Sequence, residues 1–159
     1  MPSILNRNTC LRFPPAYHDI CKTIHSPQSA ASSWAKDLPA NFVGYVPDSE
    51  YIRLLNACDL VVIPSRNEPF GLVLLEAWSA EKGVVASNVG GLSENIDTFV
   101  DGLKVEPEPG SLAWGINTIM DDPSQAIALG KRGRKKVERI FLWEPIAGKM
   151  TETYARVVA

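Results

Sequence analysis

The sequence has little of what nucleic-acid-binding, membrane-spanning or secreted proteins usually carry. Its 16 Lys and Arg residues are outnumbered by 18 Asp and Glu, so the formal net charge of −2 does not attract a polyanion. No apolar run approaches the roughly 20 residues that cross a bilayer, and residues 1–10 contain no apolar stretch typical of a secretory signal. Three cysteines, an odd number, fit a reducing compartment better than a disulfide framework. We therefore predict a cytoplasmic protein that binds no nucleic acid.

Metal-binding patterns are also scarce. The N-terminal region contains a group of Cys and His residues whose spacings fit no common structural zinc pattern: Cys10, His18, Cys21 and His25. We predict neither a metal ion nor another cofactor.

From residue 41 onward the sequence alternates short apolar runs with longer segments of helical period. Strands are predicted at "NFVGYV" (41–46), "DLVVIPS" (59–65), "GVVASNVGG" (83–91) and Leu103–Val105. Helices are predicted at 47–59, with Asp48 or Ser49 as N-cap, at 69–80, and in three segments from residue 111 onward. Because strands that alternate with helices form parallel βαβ units, we predict an α/β fold with a Rossmann-like parallel sheet flanked by helices.

Residues 1–40 differ from the rest of the chain. They contain the pair Pro14-Pro15 and the stretch "SPQSAASS", and they show no sustained helical or strand period. We predict an irregular N-terminal segment at 1–40 and one domain at 41–159.

The segment "PFGLVLLEAWSA" (69–80) predicts an apolar helix with one carboxylate in its middle. Pro69 suits the first helical position, since its missing N–H would be unbonded there, and Glu68 would then be the N-cap or the residue before it. The positive end of such a helix is a ready anion site. We predict that it is formed by the unpaired backbone N–H groups of Phe70, Gly71 and Leu72.

Glu76, the carboxylate in the middle of this helix, lies within reach of the same ligand. Seven residues after Pro69, it would be about 10 Å along the axis, at about 1.5 Å per residue. A nucleotide spans that distance, with its phosphates at the terminus and its ribose near Glu76. The spacing also fits a plainer interpretation, in which Leu72, Glu76 and Ser79 form a narrow solvent-exposed stripe and Glu68 only complements the helix dipole.

The two glutamates in "EPFGLVLLE" (68–76) resemble the motif of retaining GT-B glycosyltransferases of family four, the group 1 glycosyl transferases. The similarity extends over most of residues 41–157. The other matching motifs are the family's Gly-Gly-x-x-Glu, Asp-Gly and Phe-x-Trp, found here at Gly90, Gly91, Glu94, Asp101, Gly102, Phe141 and Trp143. Several motifs in the same order are more specific than one short motif.

The resemblance implies a role for each matching residue. As the catalytic residue, Glu68 would face the transferred sugar of a UDP-, GDP- or ADP-sugar, and Glu76 would accept hydrogen bonds from the ribose hydroxyls. The remaining donor contacts, to the base and to the sugar and diphosphate, would be made by backbone at Tyr45, Val46, Phe70, Gly71 and Leu72. The family transfers a sugar to an acceptor with retention, usually without a metal, as in polysaccharide biosynthesis.

The chain departs from the family at its N-terminal side. There the family's donor-binding half has two further βα units, with an arginine and a lysine that neutralise the diphosphate, and residues 1–40 are too few for both units. We therefore expect a truncated C-terminal half of a GT-B fold that is weakly active or inactive by itself. A partner chain would then carry the acceptor-binding domain. Two alternatives remain: a non-catalytic nucleotide-sugar-binding module or remnant, and a GT-B nucleotide-sugar epimerase.

The segment "KRGRKKVER" (131–139) holds six basic residues and one acidic residue. It has no interleaved aromatic residues and the rest of the chain is acidic, so we predict a solvated helix face. The alternative is a patch that contacts a lipid-phosphate acceptor or an anionic membrane surface.

Overall fold

The computed structural model describes residues 10–11 and 44–158, which form a small β-sheet flanked by helices. The strands are β1 (Cys10–Leu11), β2 (Leu60–Ile63), β3 (Gly83–Ser87) and β4 (Leu103–Val105). The helices are α1 (Asp48–Ala57), α2 (Leu72–Ser79), α3 (Gly90–Asn95), α4 (Pro109–Met120), α5 (Pro123–Lys136) and α6 (Trp143–Val158), with a π-helical turn at Val137–Phe141. Within this part of the chain, no helix is both long and apolar enough to cross a membrane.

The sheet has the strand order β1-β2-β3-β4. β2, β3 and β4 are parallel, and β1 pairs with β2 in the antiparallel direction. Since a helix follows each parallel strand, the predicted α/β fold with a parallel sheet is confirmed. The carboxyl ends of β2 and β3 lie next to each other at one edge of the sheet.

Every residue of β2 and β3 is buried, because helices cover both faces of the sheet. Alternate residues along the two strands therefore face two separate clusters. The first cluster, on the side of α2 and α3, includes Val61, Ile63, Val84, Ala86, Leu74, Trp78 and Leu92. The second, on the side of α4 and α5, includes Leu60, Val62, Val85, Leu103, Ile119 and Leu129.

Two predictions at the start of the domain were wrong. The described part of the predicted strand 41–46, Gly44–Val46, is not in a strand, and Gly44 has a φ of 60°, which ends any extended run. The N-cap of α1 is Pro47 rather than Asp48 or Ser49. The carbonyl of Pro47 accepts the N–H of Tyr51 at 2.9 Å and so closes the first turn without a side-chain cap. Apart from Cys10–Leu11, the predicted irregular segment 1–40 lies outside the described residues.

The basic run of α5 and the π-helical turn is not simply a solvated face. Arg132 donates to the carbonyl of Val100, and Arg134 donates to the carbonyl of Ser79 at 2.6 Å. These two guanidinium groups therefore bond to backbone of other elements. The prediction of a solvated face missed these bonds because long basic side chains reach carbonyl groups of neighbouring elements, which the local sequence does not reveal.

Lys136, the last residue of α5, makes the most extensive of these contacts. Its Nζ lies 2.8 Å from a carboxylate oxygen of Asp97, 2.8 Å from one of Asp101 and 2.6 Å from the carbonyl of Asn95. It also lies 5.5 Å from the centre of the Trp78 ring. Burial by itself lowers the pKa of Lys136, but the hydrogen bonds to Asp101 and Asp97 outweigh it, so the pKa lies above its ordinary value.

Candidate functional site

Two loops meet at the carboxyl edge of the sheet, one between β2 and α2 and the other between β3 and α3. The N–H of Gly91 donates to the carbonyl of Glu68 at 2.8 Å. The side-chain amide of Asn95 donates to the carbonyl of Phe70 at 3.0 Å. Both ends of α3 are therefore bonded to the loop that carries the candidate catalytic glutamate. Ligands of parallel α/β sheets bind at this edge.

The glycine pair at the start of α3 makes this contact possible. Gly90 has a φ of 44°, and a Cβ placed on it would lie 2.2 Å from the carbonyl oxygen of Glu68. A Cβ on Gly91 would lie 2.5 Å from the Cα and the carbonyl oxygen of Phe70. Any larger residue would push the two backbones apart. Two adjacent glycines after a buried strand were visible in the sequence, but sequence reasoning identified them only as a family motif and missed this contact.

Helix α2 begins three residues later than predicted. Gly71 has a φ of 95°, in the left-handed region, so Leu72 rather than Pro69 is the first helical residue. The N–H of Gly71 donates to Oε1 of Glu68 at 3.1 Å, so the prediction that this group is unpaired was also wrong. The reason is the left-handed turn, which a sequence pattern centred on Pro69 does not reveal.

The start of α2 nevertheless offers donors to a ligand. Among the residues that the structure describes, the N–H groups of Phe70, Leu72 and Val73 have no hydrogen-bond acceptor. The first N–H groups of a helix have no acceptor within the helix and lie at its positive end. The second carboxylate oxygen of Glu68, Oε2, makes no hydrogen bond within the same described part. Backbone N–H groups that can donate to an anion and one side-chain carboxylate oxygen that can accept a hydrogen bond therefore lie on the same short segment of the chain.

Glu76 lies on α2, one helical turn after Leu72, about 6 Å along the axis at about 1.5 Å per residue. Leu72 and Ser79 are exposed, as the stripe interpretation predicts, but Glu76 is half-buried. The hydroxyl of Tyr51, on α1, donates to Oε2 of Glu76 at 2.7 Å. Glu76 is therefore bonded to another element and does more than mark a solvent-exposed stripe.

Tyr45 and Val46 lie on the segment that leads into α1. The side chain of Tyr45 is 77% exposed, and Val46 is half-buried. They directly precede Pro47, whose carbonyl is bonded to the N–H of Tyr51. Because the same Tyr51 contacts Glu76, the structure places this segment beside the first turn of a helix that reaches the candidate site.

Sequence reasoning missed Tyr51 and Asn95. Each lies on a different element from the group that it contacts, and no local pattern indicates such a partner. Among the described residues, no group of three His, Cys, Asp or Glu side chains is placed to hold a metal ion. Of the four Cys and His residues considered for zinc, three lie outside the described residues, and only the backbone of Cys10 is described.

The family model described as glycosyl transferases group 1 matches residues 32–136. The chain belongs to this family. An uncharacterised glycosyltransferase of Methanocaldococcus jannaschii is 39% identical over 114 residues, which cover 71% of this chain and 29% of that protein. The group 1 domain thus spans less than a third of the length of this curated relative.

Solved structures show the same fold as this group 1 domain. Sucrose-phosphate synthase from Thermosynechococcus elongatus matches with a TM-score of 0.71 at 34% identity, covering 87% of this chain and 37% of that chain. HepE from Anabaena, in complex with UDP-glucose, matches with a TM-score of 0.72 at 26% identity, covering 89% of this chain and 42% of that chain. These relatives confirm the predicted group 1 GT-B domain. Each comparison covers less than half of the solved chain.

Proposed function

We propose that this domain, at residues 41–159, binds the nucleotide-sugar donor of a glycosyltransferase. The observation that supports this most directly is the arrangement of two carboxylates around the start of α2. Glu68 lies on the loop just before the helix, bonded to Gly71, and Glu76 lies one turn into it, bonded to Tyr51. The HepE structure, solved with UDP-glucose, supports the same class of ligand.

Each part of the donor has a matching group in this arrangement. The N–H groups of Leu72 and Val73, at the positive end of α2, suit the diphosphate. Oε2 of Glu68 suits a hydroxyl of the sugar, because a carboxylate accepts strong, charge-assisted hydrogen bonds. Oε1 of Glu76 suits the ribose hydroxyls. The backbone at Tyr45–Val46 is assigned to the base, since it adjoins the helix that contacts Glu76.

The activity of the whole protein extends this proposal. In this proposal, the whole protein transfers a glycosyl group to an acceptor in the cytoplasm, with retention of configuration and without a metal. UDP-sugars are the first donors to test, ahead of GDP- and ADP-sugars. The acceptor-binding groups belong to a part of the protein beyond this domain or to a partner chain. A membrane surface is the weaker candidate partner, because Arg132, Arg134 and Lys136 of the basic run already bond within the domain.

The test is calorimetric titration of the chain and its variants with UDP and UDP-glucose. Glu76→Ala should weaken the binding of both ligands, because the ribose is common to them, whereas Glu68→Ala should weaken only UDP-glucose. A hydrogen bond to a charged group contributes about 1.5–3 kcal/mol, so each loss should be about ten- to a hundredfold. Glu152→Ala, at an exposed position on α6, is the matched control and should change neither affinity.

Equal losses for both glutamate variants with both ligands would contradict the division of roles. Absence of any UDP or UDP-glucose binding by the wild-type chain would contradict the assignment of the site. Product analysis after incubation of the donor with candidate acceptors separates glycosyl transfer from epimerisation and from binding without turnover.

A further inference from the structure

The side chain of Tyr51, on α1, is hydrogen-bonded to Glu76 on α2. Its hydroxyl donates to Oε2 of Glu76 at 2.7 Å, a normal length for a hydrogen bond between oxygens. Its ring is half-buried and packs against the core cluster on the α2 side of the sheet. The hydroxyl is therefore held at a fixed place while it binds the carboxylate.

We propose that Tyr51 is a positioning residue, which orients the Glu76 carboxylate for the ribose and so sets the preference of the site for ribonucleotides. This inference rests on the proposed function, in which Glu76 accepts the ribose hydroxyls. With Oε2 occupied by the phenol, Oε1 is the oxygen presented to the ligand.

The physical advantage is that Glu76 is ordered before the ligand arrives. A glutamate on a helix surface samples several rotamers, and the loss of this freedom on binding weakens the affinity for a ligand. The hydrogen bond from Tyr51 selects one orientation in the free protein. The phenol has a single proton to donate, and giving it to Oε2 leaves the lone pairs of Oε1 for the two ribose hydroxyls.

Tyr51 also joins the two nucleoside contacts. Its backbone N–H bonds to the carbonyl of Pro47, next to the segment Tyr45–Val46, while its side chain bonds to Glu76. One residue thus fixes the ribose acceptor relative to the segment assigned to the base. A specificity for the nucleoside, rather than for the sugar, is the expected consequence.

The experiment compares the binding of UDP and of 2′,3′-dideoxy-UDP, which lacks both ribose hydroxyls, by calorimetry. Tyr51→Phe removes the hydroxyl and keeps the ring that packs on the core. We expect it to lower the affinity for UDP about three- to tenfold, the effect of one hydrogen bond, and to leave the dideoxy ligand within about twofold of wild type. The UDP-to-dideoxy-UDP affinity ratio should fall accordingly. Tyr154→Phe, at a tyrosine that is 62% exposed on α6, should leave the ratio unchanged.

The outcomes separate this inference from the proposed function. If Glu76→Ala removes the preference for UDP but Tyr51→Phe retains it, or weakens both ligands equally, the positioning role is wrong and the proposed site stands. If the wild type shows no preference for UDP and Glu76→Ala has no effect, the assignment of the ribose to Glu76 is wrong and the inference falls with it. A fall in the ratio for Tyr51→Phe, with the Tyr154→Phe ratio unchanged, supports both.

Discussion

Replacing Gly91 with alanine would place a methyl group between the two loops of the site. The new Cβ would lie 2.5 Å from the Cα of Phe70, whereas non-bonded carbon atoms prefer about 3.5–4.0 Å. The backbone at Phe70 would therefore have to move by roughly 1 Å. This movement would stretch two hydrogen bonds, the 2.8 Å bond from the Gly91 N–H to Glu68 and the 3.0 Å bond from Asn95 to Phe70.

The expected magnitude follows from this crowding. Gly91 does not have a positive φ, so alanine meets no backbone strain there and the steric contact alone decides the effect. Overpacking of this kind costs about 1–3 kcal/mol of unfolding free energy. For a chain of 159 residues, that corresponds to a Tm lowered by roughly 2–12 °C. The affinity for UDP-glucose should fall as well, because Glu68 and the start of α2 move with Phe70.

The assay is thermal denaturation followed by circular dichroism, together with calorimetric titration with UDP-glucose. Gly110→Ala is the matched control, since a Cβ at Gly110 meets nothing within 4 Å. Gly110 lies in the first turn of α4, where alanine should raise stability by about 0.4–1 kcal/mol. A Gly91→Ala protein with the Tm and affinity of the wild type would refute the loop contact on which the candidate site rests.

Two further predictions concern the packing around α5. Lys136→Met should lower the unfolding free energy at pH 7 by about 3–5 kcal/mol, because it leaves the buried Asp101 carboxylate without its cation. The hydrogen bond from Lys136 holds the pKa of Asp97 below its ordinary value of 3.8. The ion pair of Lys136 and Asp97 therefore stabilises the fold fully above pH 3.8, and this stabilisation is lost as the pH falls through the lowered pKa of Asp97. In urea denaturation, the difference in unfolding free energy between wild type and Lys136→Met should therefore become smaller below about pH 3.8. A difference that stays constant from neutral to strongly acidic pH would contradict this. Gly133→Ala should lower the unfolding free energy by about 1–3 kcal/mol and change the near-ultraviolet circular dichroism, because its Cβ would lie 2.1 Å from the ring of the fully buried Trp78. A Tm equal to that of Gly110→Ala would show that the ring packs elsewhere.

The sequence by itself determined the class of fold and where each parallel strand begins to within one residue, but the strand predicted at 83–91 was too long: β3 ends at Ser87, and the glycine pair lies in α3. The apolar run at β2 is buried at every residue, as its pattern indicates, and β4 has the predicted bounds Leu103–Val105. These features are local, because a strand that is buried on both faces has a nearly continuous run of apolar residues. The two glutamates and the glycine pair were also visible in the sequence, as motifs of a family to which the chain belongs.

Only the tertiary structure decided how those residues meet. The left-handed Gly71 moved the start of α2 to Leu72 and paired its own N–H with Glu68. Tyr51 reaches Glu76 across 25 positions of the sequence. Hydrophobic periodicity states which face of an element is buried, but it does not state which side chain of another element lies opposite. Contacts between residues that are distant in the chain depend on the packing of whole helices and loops. In this protein, one such contact joins Tyr51 to the carboxylate of Glu76, and another joins Gly91 to the backbone carbonyl of Glu68.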